Sequence, residues 1–169
     1  MIFHLKHIDN LRKLYVDQIE HLHSAETQIA EALPGMIEKA DDPELKHALQ
    51  THLQETREQV SRIEQILREV TDKIEPKKNK PIAALLAEAD DMLADASNPA
   101  VTDAAIIAAG QRLEHYEIAA YGTVRDFAEI IGEHDQAALL SKTLEEEKNA
   151  DSMLSSISSS ANTRADRAA

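Results

Sequence analysis

The sequence predicts an all-α fold, a four-helix bundle with a long crossover that carries a short fifth helix. Three observations lead there. Apolar residues return every three or four positions through four long stretches, the spacing of one face of an α-helix. Two of those stretches open on a cap residue followed by proline, Asp42-Pro43 and Asn98-Pro99, the order that starts a helix. The composition, 43% hydrophobic and 29% charged with only 4 Gly and 5 Pro in 169 residues, is the profile of a soluble helical protein rather than a disordered or fibrous one.

The first helix is expected over residues 5–40, with Ile8, Leu11, Tyr15, Ile19, Leu22, Ile29 and Leu33 stepping by three or four. Pro34-Gly35 is expected to kink or break it late, because proline removes a backbone donor and crowds the preceding turn. The second helix is expected over residues 43–72 on the stripe Leu49, Leu53, Thr56, Val60, Ile63, Leu67 and Val70. Residues 74–81 are polar and contain Pro and Lys, a linker composition, and a short amphipathic helix follows over residues 82–96. The third long helix opens at Pro99 and ends at Gly132. A connection over residues 74–98 is far too long for a tight hairpin and suits a crossover that leaves the second and third long helices parallel. The fourth long helix is expected over residues 134–158, on the stripe Gln136, Leu139, Leu140, Thr143, Glu147, Leu154 and Ile157. Residues 159–169 are rich in Ser and Ala without an apolar pattern, so they are expected to be a flexible C-terminal tail, with residues 1–158 as one bundle domain.

Charge and residue usage exclude several functions. The formal net charge of −13 repels nucleic acid and anionic membrane surfaces. With no Cys, disulfides, thiolate metal sites and cysteine nucleophiles are absent, in keeping with a reducing cytoplasm. The first residues lack the continuous apolar core of a signal peptide, and no run approaches the roughly 20 apolar residues of a membrane span. A cytoplasmic protein is expected. No Gly-rich phosphate loop or Ser nucleophile elbow is found, and helical periodicity leaves no strand to host one.

The apolar faces carry acids. Glu26 falls between Leu22 and Ile29 on the inward stripe of the first helix, whereas Glu20 and Glu31 are expected on its solvent face. His52 lies in the stripe of the second helix, and Glu55 at its margin. Glu114 and Glu117, one turn apart, share a face of the third long helix with Ile106, Gly110, Leu113, Tyr121 and Val124. Glu147 sits in the middle of the fourth stripe, with Asp151 one turn later near the same side. A single inward acid in a bundle is ordinarily an edge residue whose stem packs while its head reaches water. Four helices carrying one at once would suffer severe repulsion in a core without a cation, whereas two divalent ions would neutralise four carboxylates and satisfy their lone pairs. Oxygen-rich donors with an occasional imidazole suit Fe or Mn. The doublet His21 and His23 diverges by about 200° on a helix and cannot chelate one ion, and Tyr15, Tyr116 and Tyr121 read as ordinary core tyrosines with hydroxyls able to reach carboxylates.

Glu114-His115-Tyr116-Glu117 resembles the third-helix motif of rubrerythrins, in which both glutamates bind metal. Through His52 to Thr56, Asp103 to Ala109, Glu114 to Gly122 and Thr143 to Lys148, nearly the whole chain resembles the bacterial YciF/YciE family of stress-associated proteins. The resemblance implies a ferritin-like bundle, metal binding and a homodimer, without a settled activity. Carried over position by position, it places Glu26, Glu55, Glu114, Glu117 and Glu147 at carboxylate ligand positions of a dinuclear Fe or Mn site. The pattern departs where di-iron relatives have His three residues after Glu on the second and fourth helices: here Glu58 and Ala150 stand instead. His52 is left as a ligand or a hydrogen-bond partner, Asp151 as a last ligand, and His115 is expected to face away.

Two functions from different classes are consistent with these residues. One is redox chemistry on oxygen or peroxide at a di-metal site: a ferroxidase, a peroxidase or a catalase-like activity. The absence of Cys argues against a full rubrerythrin cycle with a separate iron centre. The other is a non-enzymatic bundle that binds metal for stability or sequestration, or binds a partner protein through a dimer face.

Overall fold

The computed structural model describes residues 7–72, 74 and 77–168, with five helices: α1 (Leu11–Lys39), α2 (Pro43–Val70), α3 (Lys80–Asp95), α4 (Pro99–Ile131) and α5 (His134–Asp166). The caps follow the local chemistry. Asn10, Asp42, Asn79 and Asn98 each accept a backbone N–H of the first turn through the side chain, satisfying donors that a helix N-terminus leaves unpaired. Gly132 closes α4 at φ 84°, a left-handed conformation that glycine adopts without steric cost. None of the described helices is long and apolar enough to cross a membrane.

The long helices surround one axis. α1 packs on α2, α2 on α5, α5 on α4 and α4 on α1, which places α1 diagonally opposite α5 and α2 diagonally opposite α4. Two apolar clusters fill the interior. One contains Ala25, Ile29, Leu33, Leu45, Leu49, Ile106, Leu113, Leu154 and Ile157; the other contains Tyr15, Ile19, Leu22, Ile63, Leu67, Tyr121, Val124, Leu140 and Leu144. Following the chain, α2 and α4 run from the first cluster to the second, whereas α1 and α5 run the other way. The crossover therefore does leave α2 and α4 parallel, and the fold is the ferritin-like bundle that the sequence predicts.

The crossover is tied down by one buried side chain. Asn79 Nδ2 donates to the His21 carbonyl at 3.1 Å and to Tyr116 Oη at 2.8 Å, its Oδ1 accepts from Ile82 N, and its own N–H donates to Ser24 Oγ. α1, α3 and α4 are thus joined through one amide. Nearby, Lys77 bridges Asp17 and Glu20 of α1. Glu20 is 2% exposed, which corrects the expectation that it faces solvent: the connection covers it and supplies its cation.

Three further boundaries depart from expectation. Residues 7–10 precede α1, which starts at Leu11, while residues 5 and 6 lie outside the described residues. α1 continues through Pro34 without a break, because Leu33, Met36 and Ala40 are all buried in the first cluster and packing outweighs one lost backbone bond. The expected tail from residue 159 instead extends α5 to Asp166, with Ala161 fully buried. The Ser-rich face is simply its solvent side, and Arg164 reaches back to Asp42 at the start of α2.

The α1–α2 turn depends on α4. Asp103, 1% exposed, accepts from the backbone N–H groups of Asp41 and Asp42 at 2.8 and 3.1 Å. Asp103→Ala leaves both donors without this partner and is expected to lower stability by about 1–3 kcal/mol, read as a lower urea midpoint at unchanged helical content.

Candidate metal centre

Between the two apolar clusters lies a polar layer to which all four long helices contribute. Helix periodicity produces it: in each helix a buried polar residue interrupts the apolar stripe where it passes from one cluster to the other. These are Glu26 on α1, His52 and Thr56 on α2, Glu114 and Glu117 on α4, and Glu147 on α5, all buried. One donor atom from each of His52, Glu114, Glu117 and Glu147 falls within a sphere where all lie no more than 4.8 Å apart. His52 Nε2 approaches Glu114 Oε1 at 3.3 Å across the diagonal of the bundle. Glu26 adjoins the group and accepts a short hydrogen bond from Tyr121 Oη.

The layer is undersupplied with partners. Six oxygens of Glu26, Glu114, Glu117 and Glu147, together with His52 Nδ1, are buried without a hydrogen-bond partner. Buried polar atoms are ordinarily paired, and an unpaired buried carboxylate is costly. Arg62 is a nearby cation, but its guanidinium is engaged by Glu146 at 2.8 and 3.2 Å and by Thr143. Without a bound cation, burial first and then repulsion from Glu147 pushes the Glu26 carboxyl well above the usual carboxylate range. Burial and Glu26 do the same to Glu117, and burial and Glu114 to Glu147. Burial raises Glu114 to about 8. Burial acts in the opposite direction on His52, lowering it to about 4 and keeping the ring neutral, the form in which imidazole binds metals.

These donors fit a hard or borderline divalent ion. Four carboxylates and one neutral imidazole supply the oxygen-rich set that Fe or Mn accepts, and donors of three of these acids and of His52 converge on one place, with Glu26 adjoining. A buried His and Glu cluster able to hold a metal is therefore present.

The other two candidates lie at its edge, where their charges act on Glu114. Glu55 is half-buried at the margin of α2 and lines a pocket with His52 and Glu114; Thr56, fully buried, takes the inward position one turn after His52. Asp151 faces His115 Nε2 at 3.3 Å, and neither Glu55 nor Asp151 joins the four-residue cluster. His115 is mainly exposed, as expected. Of the three tyrosines whose hydroxyls could reach carboxylates, the structure gives that contact to Tyr121, one turn after Glu117, whereas Tyr15 donates to Gln136 and Tyr116 accepts from Asn79. Sequence reasoning misses Arg62 and Glu146 as neighbours of the site, because each sits at the edge of its apolar stripe.

Fold and layer together define a ferritin-like helical bundle with a buried carboxylate and imidazole centre. The chain belongs to the family described as a domain of unknown function, DUF892, which matches residues 10–166. It is 36% identical over 148 residues to the protein YciF of Escherichia coli K12, covering 87% of this chain and 89% of that protein. The crystal structure of the E. coli stress protein YciF superposes with a TM-score of 0.88 at 34% identity, covering 92% of this chain and 99% of that one. YcfI of Rhodopseudomonas palustris superposes with a TM-score of 0.85 at 35% identity over 92% and 98% of the two chains. A Xanthomonas campestris protein, 18% identical, shares the fold with a TM-score of 0.72 over 89% and 92% of the two chains.

The raised Glu114 pKa has a defined consequence for metal-free protein. Its folded value, about 8, lies above the ordinary carboxyl value of 4.5, so the folded state holds a proton that the unfolded chain has released. Stability from this group is complete below about pH 4.5 and is lost as pH rises through about 8. Melting temperature of the chelated protein is expected to fall across that window, and Glu114→Gln, which imitates the protonated form, is expected to flatten the fall.

Proposed function

We propose that the chain is a di-metal carboxylate protein that binds Fe or Mn in the polar layer and acts there on a small oxidant, oxygen or peroxide. The observation that carries this reading is the convergence of four buried donors from α2, α4 and α5 on one point, with the buried Glu26 of α1 beside them. His52, Glu114, Glu117 and Glu147 would hold the first ion, and Glu26 with its free Oε2 would contribute to the second. The bound ions would supply Lewis acidity and one-electron redox chemistry.

The chain's own residues do the remaining work. The four carboxylates neutralise cationic charge and can change protonation as that charge changes. Tyr121 holds Glu26 by donating to it, and Glu146 keeps the Arg62 guanidinium directed away from the carboxylates. The apolar clusters on either side keep bulk water from the layer. The pocket lined by His52, Glu55 and Glu114 gives a small oxidant a route inward. Because Glu58 and Ala150 stand where relatives have imidazoles, the second ion is expected to bind less tightly than the first.

Elemental analysis of protein purified without chelator tests the reading, alongside Glu114→Ala. The native chain is expected to carry up to two Fe or Mn, and the variant to lose most of it while remaining helical. Metal at 100 times its dissociation constant should stabilise the fold by about 2.7 kcal/mol. Turnover of Fe(II) or peroxide by loaded native protein but not by the variant supports catalysis. Loaded protein with no turnover makes the ions structural, and native protein that takes up neither metal overturns the proposal.

A further inference from the structure

A cavity of about 400 Å³ opens beside the polar layer. Its inner wall is apolar and buried: Ile29 and Leu33 from α1, Leu49 from α2, Leu113 from α4 and Leu154 from α5. Gly110 lets Leu154 pack close against α4 in this wall, since a Cβ there would meet Leu154 Cδ1 at 2.8 Å. Glu44, Thr51 and Asn149 are exposed lining residues, so the cavity has a polar mouth. At its inner end are His52 and Glu114, and His52 Nδ1 and Glu114 Oε2 are both buried without a partner.

Oxygen or peroxide alone does not call for such a space. The volume is that of a site for a small organic molecule, and its make-up is that of one: mostly apolar walls with a few convergent polar atoms. From these features we propose that the cavity is a binding site for a neutral aliphatic alcohol, its chain along the apolar wall and its hydroxyl at His52 and Glu114. A hydroxyl can donate to a carboxylate oxygen and accept from an imidazole N–H, so it suits either unpartnered atom. In metal-free protein an anionic head group would lose its hydration beside a buried layer that offers it no free cation, and would approach a chain carrying a net charge of −13. The inference rests on the di-metal reading only in making the alcohol a substrate; the binding itself does not need the metal.

The test is calorimetric titration of the full chain, metal-free and Mn(II)-loaded, with 1-butanol, 1-hexanol and 1-octanol, measuring Mn uptake in the same samples. One molecule should bind per chain, with the dissociation constant falling about fourfold per added methylene until the cavity is full. Octanoate should bind metal-free protein at least about tenfold more weakly than 1-octanol. Leu33→Trp and Ala48→Phe fill the cavity from α1 and α2 at least one turn away from the acids and His52, and each should weaken 1-octanol binding at least about tenfold with Mn uptake retained. Alcohol binding by protein that takes up neither Mn(II) nor, without oxygen, Fe(II) supports the cavity and sinks the metal reading. Mn uptake without alcohol binding, no dependence on chain length, or unchanged binding in both filled variants that remain folded overturns the cavity assignment. Closure of the mouth by a second copy of the chain would appear as the absence of alcohol binding and overturns it equally.

Discussion

The structure depends on the burial of four carboxylates at one level of a helical bundle. Nothing in an apolar core favours that arrangement: each group loses its hydration, and each repels the others. The fold tolerates it by confining the acids to a thin layer between apolar clusters that contain most of the large buried side chains. Stability comes from those clusters, and the layer draws on it. The protein therefore has two regions with opposite demands, joined by continuous helices that prevent either from rearranging alone.

The neighbouring polar groups limit that cost without removing it. Tyr121 donates to Glu26, and Thr56 returns its hydroxyl to the His52 carbonyl, so neither adds another unpaired atom to the layer. Arg62 is close enough to compensate some of the negative charge but is engaged by Glu146 and Thr143. Had the guanidinium entered the layer, it would have formed an internal ion pair and occupied the place where the unpartnered oxygens converge. The arrangement keeps the acids available.

Much of this is legible from periodicity alone. Glu26, Glu114, Glu117 and Glu147 each fall on an apolar stripe at helical spacing, and burial follows from the stripe. His52 is legible for the same reason. Glu55 is harder, because a residue at the edge of a stripe has its burial decided by the neighbouring helix. The structure gives the inward position to Thr56, which helical spacing already places on the stripe. Glu20 defeats the periodicity because its cover, Lys77, comes from an irregular connection that no helical spacing describes. The C-terminal extension of α5 is hidden by small residues: Ala161 packs fully but contributes little hydrophobic signal. In each case the missing information is tertiary, a matter of which segment lies across a face.

Gly132 has a further consequence. It stands midway in sequence between Glu117 and Glu147, so the two arms of the α4–α5 hairpin are equal in length and bring both carboxylates to the same height in the bundle. Adding or removing one residue at that turn would rotate every side chain of α5 by about 100° relative to α4 and carry Glu147 out of the layer. Between α2 and α3, outside the contacts of Lys77 and Asn79, chain length sets no register between the acids. Insertions and deletions among relatives that keep the centre should accumulate in the crossover and spare the hairpin, so that loop length records which connection acts as a spacer and which as a gauge.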